Sequence, residues 1–133
     1  ERRNADSQHS LCKTFAYGQQ ISARHEAKLA GYDEALLLST NGDLCCGTTS
    51  NILIKHKDEW LTPKLETGCL PGVMRQQGID AGLIQEAKID QTPNEEDEWL
   101  LINSLSCRAI SKCNNRSLKL STNTQKLWFS LLK

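Results

Sequence analysis

The chain has 133 residues, enough for one domain that buries roughly two-thirds of the surface its unfolded form exposes. Its 16 basic and 16 acidic residues balance and the basic ones are scattered, which argues against nucleic acid and anionic membranes as partners. No apolar run approaches the roughly 18 residues that a membrane span needs.

Six cysteines predict reduced thiols rather than a disulfide framework. None of them forms a Cys-x-x-Cys pair, and no signal-peptide pattern precedes them. Their neighbours are apolar or small, which suits thiols used as small buried hydrophobic side chains. We therefore expect a cytoplasmic setting.

The start of the chain is polar, and residues 1–10 are predicted to form a linker or disordered start before a folded domain over residues 11–133. The first predicted helix runs from Tyr17 to Ala30, with small residues along one face. Gly31 follows where a C-terminal glycine stop belongs.

A series of short strands is predicted next. Residues 35–38 and 43–47 form a hairpin around Asn41-Gly42, which favours a type I′ turn with two positive φ angles. Residues 51–56 form a third strand that turns at Lys57-Asp58 into Trp60-Leu61, and Thr62-Pro63 ends that strand.

The second half of the chain alternates helices and strands. A helix is predicted from Gly72 to Ala81, a strand over residues 85–89, and a short helix starting at Thr92-Pro93-Asn94-Glu95. Residues 99–102 have the pattern of a buried strand, and residues 123–132 form a final amphipathic helix. The pattern predicts an α+β (mixed α/β) domain with a mixed sheet and packed helices.

Three places in the chain offer chemistry. Lys13 stands among apolar residues and becomes a nucleophile if burial lowers its pKa, although the ordinary alternative is a surface lysine packed on Phe15. The glycine-led helix start at Gly72 suits a phosphate, because backbone N–H groups and the helix dipole point outward there. Asn103-Ser104 ends a buried strand, as either a simple turn or a second phosphate contact.

A family resemblance lies in the order and spacing of several segments from about residue 11 to about residue 112. These segments are Lys13-Thr14-Phe15-Ala16-Tyr17, Glu26-Ala27, Gly31-Tyr32-Asp33-Glu34-Ala35-Leu36, Gly42, Gly47-Thr48-Thr49-Ser50-Asn51-Ile52, Thr62-Pro63 and Gly72-Val73-Met74-Arg75. On them the chain resembles the fold-type IV, pyridoxal-phosphate-dependent class IV aminotransferase family, and most of all its aminodeoxychorismate lyases. The resemblance implies the large C-terminal domain of the D-amino acid aminotransferase-like fold, a mixed sheet or pseudo-barrel, without the small N-terminal domain of such enzymes. It also implies a homodimer acting on a small amino- or chorismate-type substrate.

The resemblance also implies residue roles. Lys13 would bind pyridoxal 5′-phosphate covalently and move the proton during catalysis, and Tyr17 would lie near the cofactor's phenolic oxygen. Leu70 would pack on one ring face and Thr49 on the other. The phosphate would be held at Gly72 by the backbone of Val73 and Met74. Asn103 or Ser104 would supply a further contact. Arg75 matches the family pattern and is predicted to be structural.

Cys46 departs from the family pattern. The family places a glutamate here, which pairs with the protonated pyridine nitrogen so that the ring can act as an electron sink. A buried thiol is usually neutral and makes a weaker partner. The resemblance therefore leaves three functions open: a lyase that converts 4-amino-4-deoxychorismate to p-aminobenzoate and pyruvate, a class IV aminotransferase of the branched-chain or D-amino acid type, or a catalytically impaired member.

Overall fold

The computed structural model of the chain describes residues 2–3, 18–69, 71–90, 96–113, 116–119 and 124–131. Within these ranges, short strands, three α-helices and one 3-10 helix (Leu65–Thr67) alternate with tight turns. In chain order the elements are β1 (Arg2–Arg3), α1 (Gly18–Leu29), β2 (Leu36–Ser39), β3 (Leu44–Gly47), β4 (Asn51–His56), β5 (Glu59–Pro63), α2 (Val73–Asp80), β6 (Ile84–Ala87), β7 (Glu98–Ile102), β8 (Cys107–Ala109), β9 (Lys112–Cys113), β10 (Arg116–Ser117) and α3 (Thr124–Ser130).

A mixed five-stranded sheet in the order β6-β5-β4-β7-β8 carries the core. Strands β5 and β6 are parallel, and the other neighbours are antiparallel. Because side chains alternate across a strand, Ile52 and Ile54 face one side of the sheet and Leu53 faces the other. The first side packs on Leu44 and Trp99, and the second packs on Met74 from α2.

A second sheet, in the order β1-β2-β3, adjoins the first. Its β2–β3 register passes from Leu37 opposite Cys46 to Leu38 opposite Leu44, so Cys45 is the extra residue of a β-bulge. Cys45 and Cys46 are both buried in an apolar cluster with Ala23 of α1 and with Cys69. The second sheet therefore presents a wholly buried strand to the core.

The predicted mixed α/β architecture is confirmed, and most predicted elements lie within one or two residues of the observed ones. Arg2 and Arg3, within the stretch assigned to a linker or disordered start, pair in parallel with Leu38 and Ser39 of β2. Strand β5 ends at Pro63, where the pair Thr62-Pro63 was predicted to end it. Strands β8 to β10 were not predicted, and the predicted helix start at residues 92–95 lies outside the described residues.

The predicted type I′ turn at Asn41-Gly42 was wrong. Gly42 has a φ of +88°, whereas Asn41 is not among the described non-glycine residues with positive φ. The Ser39 hydroxyl accepts the N–H groups of Asn41 and Asp43 at 3.2 and 3.1 Å, which holds a different turn. Two positive φ angles occur instead at Lys57 and Asp58, between β4 and β5.

The longest helix among the described residues, α1, has 12 residues. None of the described helices is long and apolar enough to cross a membrane. The cysteines among the described residues form no disulfide. Burial raises the pKa of the Cys107 thiol to about 11 and also raises that of Cys113.

The raised pKa lowers the thiolate fraction of Cys107 near neutral pH by about a hundredfold, and the greater nucleophilicity of a more basic thiolate offsets part of this loss. Because the thiolate is the reactive form, we expect iodoacetamide to alkylate Cys107 about tenfold more slowly in the native protein than in denaturant near neutral pH. Peptide mass spectrometry over a time course measures both rates. Equal rates would show that burial does not protect this thiol.

Candidate functional site

Three segments that the sequence singled out meet at one end of β4. Asn51, the first residue of β4, pairs with Ile102, the last residue of β7. The Asn103 side-chain amide donates to the Thr49 carbonyl at 3.2 Å and to the Ser50 hydroxyl at 3.3 Å. A Cβ added to Gly72, just before α2, would lie 2.3 Å from Oδ1 of Asn51. The turn at residues 48–50, the start of α2 and the end of β7 therefore form one site.

The turn at residues 48–50 presents Thr49 to solvent. Its neighbours Thr48 and Ser50 are buried, whereas Thr49 is exposed. The Gly47 N–H donates to the Ser50 carbonyl at 2.9 Å and closes the turn. The Thr48 hydroxyl donates to Oε1 of Glu34, which anchors the turn from the other side. The buried residues Thr48 and Ser50 therefore hold the turn, while the side chain of Thr49, the residue predicted to contact the cofactor, remains accessible to solvent.

The start of α2 offers backbone donors. No side chain caps this end, and the N–H of Gln76 makes the helix's first bond, to the Gly72 carbonyl at 3.0 Å. The N–H groups of Val73 and Met74 come earlier, so the helical ladder does not consume them. The Val73 side chain is 60% exposed and that of Met74 only 3%, since Met74 packs into the core. Any contact of these residues with an anion would therefore run through their backbone.

The side chain of Asn103 is used in hydrogen bonds within the protein that stabilise the site. Besides its two donated bonds, its side-chain carbonyl accepts the N–H groups of Leu105 at 2.8 Å and Ser106 at 2.9 Å. Its backbone carbonyl accepts the indole N–H of Trp128 in α3 at 3.1 Å. A phosphate contact from this amide would cost one of these bonds, whereas the neighbouring Ser104 is exposed.

Cys46 is 2% exposed on β3, and its Sγ lies 3.7 Å from that of Cys45. The Cys45 thiol also contacts the Thr67 carbonyl at 3.4 Å. The bulge at Cys45 explains this closeness, because an extra residue in a strand disturbs the usual alternation of side chains. The position thus offers a thiol in apolar surroundings.

Three of the predicted site residues, Lys13, Tyr17 and Leu70, lie outside the described residues, and their roles stay predictions. Arg75 has the structural role predicted for it: it is 1% exposed and donates to the Pro63 carbonyl at 3.1 Å and to Glu86 at 2.5 Å. It therefore ties α2 to β5 and β6.

Sequence reasoning assigned no role in this site to Glu34, Ser50 or Asn51. All three lie in segments that carry the family resemblance, yet their contacts join residues far apart in the chain. No local sequence pattern predicts such long-range contacts.

The chain belongs to the class IV aminotransferase family, whose sequence pattern matches residues 1–113. It is 39% identical over 62 residues to the aminodeoxychorismate lyase of Saccharomyces cerevisiae, a match that covers 43% of this chain and 17% of the yeast protein. It is 36% identical over 64 residues to a protein of Aquifex aeolicus assigned as a branched-chain amino acid aminotransferase, covering 48% of this chain and 21% of that protein.

A solved structure shares the fold over nearly the whole chain. A Legionella pneumophila protein assigned as a 4-amino-4-deoxychorismate lyase superposes with a TM-score of 0.85 at 24% identity, over 98% of this chain and 52% of that one. The chain thus spans about half the length of this relative. The fold is that of the fold-type IV aminotransferases.

Proposed function

We propose that this chain is the cofactor-binding part of a pyridoxal-phosphate-dependent enzyme and that the enzyme is an aminodeoxychorismate lyase. The observation that carries the cofactor proposal is the meeting of the turn at residues 48–50, the start of α2 and the end of β7. Family membership supports it, since enzymes of this family use pyridoxal phosphate.

The phosphate end of the cofactor fits this site. An uncapped helix start with the backbone N–H groups of Val73 and Met74 suits an anion. Gly72 lets the backbone approach Asn51 more closely than a side chain would permit. The hydroxyls of Thr49 and Ser104, both on exposed residues, stand on the two neighbouring segments.

The end that would hold the pyridine nitrogen fits less well. By resemblance this position needs a carboxylate, and Cys46 supplies a thiol buried beside Leu37 and Cys45. A bound cofactor would withdraw electrons from the substrate's reacting carbon. With a thiol at this position, we expect the chain's own contribution to that withdrawal to be weak, and proton movement at Nζ of Lys13 to carry more of the catalysis.

The choice of a lyase rests on the yeast enzyme and on two stretches, Cys69-Leu70-Pro71-Gly72 and Asn103-Ser104-Leu105, that look lyase-like. Its reaction would convert 4-amino-4-deoxychorismate to p-aminobenzoate and pyruvate. The Aquifex match, close in identity and length, favours a branched-chain aminotransferase as the second candidate. Cys46 favours a third candidate, a catalytically impaired relative.

Lys13→Ala in the full-length protein is expected to abolish covalent capture of pyridoxal phosphate, because that amine is the proposed attachment point. Borohydride reduction followed by peptide mass spectrometry identifies the labelled lysine, and the visible absorbance of the bound cofactor should disappear in the variant. Lys28→Ala, on the exposed face of α1, is the matched control and should label normally. Capture at another lysine, or none in the unmodified protein, would overturn the cofactor proposal.

Product analysis separates the candidates. The lyase releases pyruvate from 4-amino-4-deoxychorismate without a second substrate. The aminotransferase transfers the amino group of a branched-chain or D-amino acid to a keto acid, so that the donor leaves as its own keto acid, and it releases no pyruvate from 4-amino-4-deoxychorismate. A protein that captures the cofactor but turns over neither substrate is the impaired relative.

A further inference from the structure

The geometry points to Glu34 as a positioning residue of the candidate site, acting through the hydroxyl of Thr48. The inference rests on the proposed function, because the group that Glu34 helps to place is the Thr49 side chain facing the cofactor. Glu34 precedes β2 and therefore reaches the site from the second sheet.

The contact between Glu34 and Thr48 joins a buried hydroxyl to a largely buried carboxylate. Thr48 is 2% exposed and the Glu34 side chain 10%. Oε1 accepts the Thr48 hydroxyl and also the N–H of Ala35 at 3.0 Å. A hydrogen bond to a carboxylate is about twice as strong as one between neutral groups, and burial strengthens it further.

The second oxygen of Glu34 connects the site to a third element. Oε2 lies 3.7 Å from the guanidinium of Arg108, which stands on β8 opposite Leu101 of β7. The carboxylate thus lies between the start of β2, the turn at residues 48–50 and β8. The hydrogen bond to Thr48 ties the turn to the segment before β2, and the longer ion pair with the half-exposed Arg108 adds a weaker link to β8.

The turn is consequently held at both flanks. Glu34 holds Thr48 on one side, and Asn103 holds Ser50 on the other. Thr49 lies between these buried anchors and is exposed. If one anchor is lost, the backbone of the turn gains freedom and the orientation of Thr49 is no longer defined. Glu34 therefore affects the site without touching a ligand.

The test uses the full-length protein with pyridoxal phosphate as the probe. Thr48→Val removes the hydroxyl while keeping the shape, and Glu34→Gln removes the charge. Each is expected to weaken cofactor binding about tenfold, the scale of one lost hydrogen bond to a charged group, and to change the circular dichroism of the bound cofactor. Thr48→Ser restores the hydroxyl and should return both readings to those of the unmodified protein. The double variant should be little worse than either single one, because both remove the same contact.

Asp97→Asn is the matched control. Asp97 is another largely buried carboxylate, 14% exposed, and it contacts His56 at 2.8 Å at the end of β4 away from the site. This variant should lower thermal stability and leave cofactor affinity unchanged. Unchanged affinity and circular dichroism in both Thr48→Val and Glu34→Gln would overturn the inference. An unmodified protein that takes up no cofactor would instead overturn the proposed function, so the two failures are distinguishable.

Discussion

Cys46→Glu is expected to lower the free energy of unfolding of the cofactor-free protein by about 3 kcal/mol or more. The side chain is 2% exposed, and the buried residues of its apolar cluster, Ala23, Leu37, Cys45 and Cys69, carry no positive charge that could offset a buried carboxylate. Pyridoxal phosphate should recover much of this loss, because the family's glutamate at this position pairs with the pyridine nitrogen. Urea unfolding with and without cofactor measures both effects.

Cys46→Gln is the matched control, since it has nearly the size of glutamate without the charge. It should destabilise the protein less, and cofactor should stabilise it no more than it stabilises the unmodified protein. We also expect the cofactor-loaded Cys46→Glu protein to keep or exceed the original activity. A sharp loss of activity would mean that the thiol has a role of its own. Equal stabilisation by cofactor in Cys46→Glu and in the unmodified protein would place this position away from the cofactor.

Gly72→Ala is expected to weaken cofactor binding by about tenfold to a hundredfold. The new methyl group would lie 2.3 Å from Oδ1 of Asn51, so either Asn51 or the start of α2 must move. That movement displaces the N–H groups of Val73 and Met74, which are the proposed phosphate donors. Titration with pyridoxal phosphate and with pyridoxal compares the two ligands, and the loss should be much larger for the phosphorylated one.

Gly78→Ala, in the same helix, provides the contrast. Its methyl group would lie 2.2 Å from Cδ1 of Ile84 and 3.3 Å from Cδ2 of Leu131. Alanine improves helix propensity by about 1 kcal/mol, but overpacking against β6 costs about 1–3 kcal/mol, so we expect a net loss of stability. Cofactor affinity should not change. If Gly72→Ala and Gly78→Ala lowered affinity equally, the effect would reflect general destabilisation of α2.

The elements that could be predicted were those with a local signal. β4 was predicted with its observed bounds, because its short apolar run Ile52-Leu53-Ile54 lies between a polar turn and the pair Lys57-Asp58. Helix α2 was predicted from the glycine that precedes it. The turn at Asn41-Gly42 was predicted wrongly because a neighbouring side chain decides it: the Ser39 hydroxyl accepts the N–H groups of Asn41 and Asp43. The pairing of Arg2 and Arg3 with β2 is a long-range contact that no local pattern predicts.

The residues of the site likewise fall into those that local sequence predicted and those that only long-range contacts revealed. The residue types at Thr49, Gly72 and Asn103 marked the segments that meet, because hydroxyls, glycine-led helix starts and amides at strand ends have local signatures. The sequence left open whether Asn103 faces a ligand or braces the turn, and the structure shows its amide bonded to Thr49 and Ser50. The role of Glu34 could not be predicted because its partner Thr48 lies 14 residues away, in the turn at residues 48–50.

The sequence by itself determined the family, the alternation of helices and strands, and the thiol at position 46, since order, spacing and residue type are properties of the chain. Only the tertiary structure decided that the turn at residues 48–50, the start of α2 and the end of β7 share one end of β4, and that Glu34 and Asn103 hold the turn between them. The reason is physical: these contacts depend on strand register and on the packing of two sheets, which are set by long-range burial and not by any local pattern.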